Sequence, residues 1–278
     1  MNQLFNAGRW WKLVVLHWAE NRRRYLLSLT AIAGLMLVWF CLTLSFNKYN
    51  TLVKGEQFGI YFFGLFFCGC LYASMLFADL GKKREATQFL SVPASQLEKL
   101  LCAVFFGVVL FFIAYTCIFY LLDIPMVGIA KDMFVKLHGK DLYDSERRGV
   151  FNIFVGRVGH GEDKGTFYLL MFFFALQALF GLGSVYFARY SFIKTVVSLL
   201  MLSVLGIFLF CQVMDNHLPN DWHFSGPFSW SHYNEASKQL ETVRNPLWFS
   251  ALLEWLATYS LPFLFWGIAY VRLKEKEV

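Results

Sequence analysis

Six apolar runs dominate this chain and restrict it more than any other feature. They cover Tyr25–Phe46, Phe58–Leu80, Leu100–Leu122, Thr166–Ala188, Thr195–Met214 and Leu247–Val271. A run of about 18 or more residues with few charges reads as a membrane span, and at about 1.5 Å per residue each can cross a hydrocarbon core of about 30 Å. Backbone in lipid must hydrogen bond within its own segment, so the spans are expected to be helices. Barrel strands alternate apolar and polar residues, and these runs do not. The first run is too long, and starts too late, for a cleaved signal peptide. The expected fold is an all-α membrane protein forming one transmembrane domain over residues 1–278. It has six transmembrane helices, an N-terminal interfacial helix and both termini cytoplasmic.

Charge sets the orientation. With the N-terminus inside, the inner segments hold 14 Lys/Arg and five acids, and the outer loops hold 11 and 12. This is the positive-inside pattern. The net charge of +6 is therefore a topology signal rather than a nucleic-acid footprint, and no nucleic-acid partner is expected. All six cysteines lie in or at the ends of the apolar runs, so no outer disulfide framework is expected. Cys68–Gly69–Cys70 has no nearby His or carboxylate and reads as packing.

The inner stretch GKKREATQFLSVPASQLEKLL, residues 81–101, interrupts two apolar runs. Asp79 pairs by spacing with Lys82 and Lys83. Ser95–Gln96–Leu97–Glu98 fits a capping box, with Ser95 as N-cap and Glu98 at N3, so the third helix should start near Gln96. Pro93 breaks any helix upstream. This leaves Arg84–Leu90 as a short two-faced element, either a docking surface or a plain solvated connector. At the N-terminus, Leu4–Trp18 is expected to lie in the interface. A sharp turn at Glu20–Arg24 would follow.

These features resemble the permease subunits of the six-helix ATP-binding-cassette (ABC) type-2 export family. The resemblance rests on Lys82–Arg84, Phe89–Leu90 and Pro93–Ser95 together with the layout of spans. It implies that Arg84, Glu85, Thr87, Gln88, Phe89 and Leu90 form a segment coupled to a cytoplasmic ABC ATPase subunit. It also implies a second permease copy or paralogue, a bacterial cytoplasmic (inner) membrane, and re-entrant helices between the fifth and sixth spans. The chain has no phosphate loop, so it is not expected to be an enzyme and needs no cofactor; ATP would be bound by the partner. A different class of reading, a non-transporting membrane scaffold of an envelope complex, also fits the sequence. An intramembrane enzyme would rest on Glu254 alone.

Asp123–Gly165 reads as a long outer loop in which 150–155 is either a short strand or an apolar docking segment. In 215–246, aromatics sit between turn residues and Glu235–Val243 reads as helical. Within the spans, Ser250, Glu254 and Thr258 recur every four residues, with a proline kink expected at Pro262. This stripe and Gln177 are the candidates for a translocation path or a dimer seam. For Gln177, Gly181, Ser184 and Ala188, and for Gly64, Cys68, Ala103 and Gly107, close helix packing is the simpler reading.

Overall fold

The computed structural model describes residues 5–46, 52–77, 93–139, 144–153, 165–187, 189–217, 222–226, 229–234, 239–244 and 247–275. Its first helix, α1 (Ala7–Phe46), opens on Asn6, whose Oδ1 accepts the Gly8 and Arg9 amides at 3.0 and 3.3 Å, an ordinary N-cap. The expected sharp turn at Glu20–Arg24 is absent: α1 is helical throughout its 40 residues. Glu-Asn-Arg-Arg-Arg holds no Gly or Pro to break a helix, and charge alone does not. Val14, His17, Trp18 and Tyr25 all gather at Phe106, although they span about 16 Å of helix at 1.5 Å per residue. This half of α1 therefore runs obliquely across its neighbour. Further on, Phe40 meets Phe119 and the two helices run alongside each other.

α2 (Lys54–Met75) begins where the Glu56 carboxylate accepts the Val53 amide at 3.2 Å. α3 (Gln96–His138) starts on Ser95, as the capping box predicts. It carries a π-helical turn at Phe105–Leu110 and continues well past the expected end at Leu122. The loop expected from Asp123 onward contains Pro125, but the helix passes through both residues. Its continuation buries Asp123, Val127, Ala130 and Phe134, a stripe at helical spacing. It ends at Gly139, whose φ of +84° suits glycine. The loop expected over Asp123–Gly165 is thus largely helix at its start. After the short α4 (Ser145–Arg148), Phe151 and Ile153 are each 1% exposed and pack on the core. Of the two readings of this run, the docking segment holds over the described residues 150–153.

α5 (Gly165–Tyr186) packs between α2 and the last helix. Glycines set these close approaches: a Cβ at Gly69 would fall 2.5 Å from the Phe173 ring, and one at Gly181 would fall 2.7 Å from Trp266. α6 (Ser191–His217) touches the bundle through Thr195, which sits against Gly183. The last helix, α7, runs in three joined pieces, Leu247–Trp255, a π-helical turn Leu256–Ser260, and Leu261–Glu275. The distortion expected at Pro262 takes this form: proline offers no N–H to the carbonyl one turn back, and a wider turn accommodates the loss.

Between α6 and α7 lies an antiparallel sheet of β1 (Trp222–Gly226), β2 (Ser229–Asn234) and β3 (Gln239–Arg244), in that order. Trp222 pairs with His232, and Trp230 with Val243. The expected helix over Glu235–Val243 is therefore corrected to a strand from Gln239, and the re-entrant helices implied by the resemblance are not found among the described residues. Thr242–Val243 and the aromatics at 222, 224 and 230 favour extended backbone. Outside this sheet, the regular structure described is helical. α1, α2, α3, α5 and α6 are each long and apolar enough to cross a bilayer, as in an integral membrane protein.

Candidate functional site

Two polar constructions stand out in this apolar bundle, one at each end. The first is built on Glu98, which is fully buried. Its carboxylate accepts the Ser95 amide at 3.0 Å, which closes the capping box. It also accepts the Asn6 amide at 2.8 Å and the Arg9 guanidinium through Nε at 2.7 Å and Nη2 at 2.8 Å. One carboxylate thus caps α3 and ties the first turn of α1 to it. Burial opposes the charge, but the Arg9 guanidinium and the two amides outweigh it and hold the Glu98 carboxyl below the usual range. The clamp is therefore intact at neutral pH and lost as pH falls below the ordinary carboxyl range. Glu98 lies in the first turn of α3, ahead of the apolar run expected from Leu100.

The clamp stands beside the inner stretch. Arg84, Glu85, Thr87, Gln88, Phe89 and Leu90 lie outside the described residues, as do Asp79, Lys82 and Lys83. The ends of the stretch are described, and both are anchored. Phe77 is 2% exposed and shares a buried cluster with Leu100, Val185 and Leu273. On the other side, Ser95 is fixed by Glu98 through the Glu98 amide to Ser95 Oγ, 3.2 Å.

Gln177 is fully buried, and its Nε2 donates to the Gly107 carbonyl at 2.6 Å. Gly107 lies in the π-helical turn of α3, where the backbone bonding pattern is shifted. Gln177 therefore cross-links α5 to α3. The side chains of Ser250 and Glu254 lie outside the described residues, and Thr258 is half-buried within the π-helical turn of α7. Around them Trp248, Phe249, Leu252, Trp255 and Leu256 are exposed, so this end of α7 stands clear of the bundle.

The second construction was not visible in the sequence. Tyr61 of α2 pairs its hydroxyl with Thr116 of α3 at 3.0 Å, and Tyr115 donates to the Tyr61 carbonyl at 2.8 Å. One turn further out, the fully buried Gln57 accepts the Phe151 amide at 2.8 Å and donates to the Gly149 carbonyl at 3.1 Å. The Tyr120 hydroxyl accepts the Ile153 amide at 3.2 Å. The helical spacing of Gln57 and Tyr61, and of Thr116 and Tyr120, was the available signal. Tyrosines among so many aromatics hid it.

Among the described residues, no three His, Cys, Asp or Glu side chains come together as metal ligands. Cys70 is buried with Ala73 and Phe180, a packing role. No family profile, curated protein or solved structure matches the chain.

Proposed function

We propose that this chain is the membrane-spanning permease subunit of an ABC exporter, with both termini on the cytoplasmic side of a bacterial inner membrane. ATP is hydrolysed by a separate cytoplasmic ATPase subunit that presses on Arg84–Leu90. The observation that carries this reading is the inner stretch with its two anchored ends. Phe77 and Leu100 share one buried cluster, and Ser95 is locked by Glu98. A push on the residues between them is delivered to α2 and α3 rather than absorbed by loose chain. α1 is tied to the same point through Arg9, so three helices receive it. Such a bundle is a two-state element that a nucleotide-driven partner can bias.

The outer halves of α6 and α7 fit a second permease copy. α6 is exposed on all sides from Leu200 to Gln212, and a paired subunit would cover it. The cargo expected of an aromatic-rich interior is amphipathic. The test is co-purification: Phe89→Asp or Leu90→Asp should release the ATPase subunit from the membrane while the permease itself stays folded and inserted. Undiminished co-purification of both variants would contradict the reading.

A further inference from the structure

Asp123 lies one residue beyond the expected span of α3, at the end opposite the Glu98 clamp. Its side chain is fully buried, and neither carboxylate oxygen has a hydrogen-bond partner. It sits between Phe119 and Val127, one turn to either side of it. Both belong to the buried cluster that also holds Phe151 and Ile153. The segment 149–153 is a strap that lays Phe151 and Ile153 into this cluster and is pinned to Gln57 and Tyr120.

An ionised carboxylate stripped of water and of every hydrogen bond is costly, and the remedy is a counter-cation or a proton. Among the described residues, the packed elements supply no cation to it. The outer part of α1, residues 36–46, carries no ionisable side chain except Cys41, which is exposed. On α2, the Glu56 carboxylate accepts the Val53 amide, and the Tyr61 hydroxyl is engaged with Thr116. Lys54 makes no bond to Asp123. On α3, Tyr120 holds the strap, and Lys131 lies two turns further along without reaching Asp123. Arg148 of α4 lies over the Phe134 ring, 3.6 Å from its centre. An ammonium group or a metal ion needs space and further donors. A proton needs neither.

We infer that Asp123 is a proton-binding site whose occupancy controls the strap 149–153. The closed strap holds the neutral acid. Lifting the strap admits water, and the carboxyl then titrates in its ordinary range near about 4. The closed state binds the proton more tightly, so closure is fully favoured below that range and weakens as pH rises through and above it. The population of the open strap grows by up to about tenfold per pH unit until the closed form itself ionises. Three hydrogen bonds and two apolar side chains make a low-energy local opening of this kind.

Hydrogen exchange of the peptide covering 149–153 tests this, using the full-length chain in lipid nanodiscs between about pH 5 and pH 8. Protection is corrected for the chemical exchange rate. The wild type should lose at least about tenfold protection across this range, and Asp123→Asn should stay protected with no slope. If Asp123→Asn does not fold, Asp123→Leu serves in its place. Gln57→Leu should lower protection at every pH and keep the slope. A flat wild-type profile, or an unchanged slope in the Asp123 variants, would overturn the proposal. The experiment does not depend on the permease reading, because it uses neither an ATPase nor a cargo.

Discussion

Glu98→Ala should destabilise the protein by about 2–4 kcal/mol, seen as a lower apparent melting temperature in mild detergent. Breaking a buried ion pair costs roughly 3–5 kcal/mol when one charge is stranded. The figure is discounted here because the Arg9 side chain is 40% exposed and rehydrates once released. The loss has three parts: the N-cap acceptor for Ser95, the acceptor for Asn6, and the tie to Arg9. Arg9→Met acts in the opposite way and leaves a buried carboxylate without its guanidinium, so its Glu98 carboxyl should rise. The double variant Arg9→Met/Glu98→Met should lose less than the two single variants added together, since neither partner is then stranded. Strict additivity would show that the two side chains do not act as a unit.

Gly69→Leu should prevent α2, α3 and α5 from packing. The first added carbon alone meets Phe173 at 2.5 and 2.9 Å and Phe111 at 3.3 Å. Phe173 is fully buried and Phe111 is 4% exposed, so neither ring has room to swing. Overpacking of this kind costs about 1–3 kcal/mol even for a small addition, which is the expectation for Gly69→Ala. Leucine adds three further carbons against the same rings. Gly59 on the same helix is the control, because nothing lies within 4 Å of its added Cβ. Gly59→Ala should be neutral or slightly stabilising. Size-exclusion profile and melting temperature in detergent separate these outcomes; a well-folded Gly69→Leu would contradict the packing.

Local signals were legible and distant ones were not. Ser95 and Glu98 are three residues apart, so their mutual capping could be read directly. The Arg9 that completes the clamp lies 89 residues away, and no spacing announces it. The apolar runs placed the helices, because composition decides that in lipid. Their ends were harder. Asp123 and Pro125 have the chemistry of a loop, yet Val127, Ala130 and Phe134 keep a helical stripe in contact with the core, and that burial prevails. At Glu20–Arg24, charges suggested a turn where no residue breaks a helix. At 239–244, a short polar segment had no strong period, and pairing with β2 decided it as strand. The seam of Gln57, Tyr61, Thr116 and Tyr120 uses polar atoms carried on side chains that otherwise look like core.

The most direct measurement of the central claim is the sidedness of the inner stretch. Gln88→Cys, in a variant with the six native cysteines replaced, would be treated with a membrane-impermeant thiol reagent in sealed right-side-out and inside-out vesicles. The account predicts labelling only in inside-out vesicles, where the cytoplasmic face is exposed. Labelling in right-side-out vesicles would put Arg84–Leu90 beyond the reach of any cytoplasmic ATPase and contradict it.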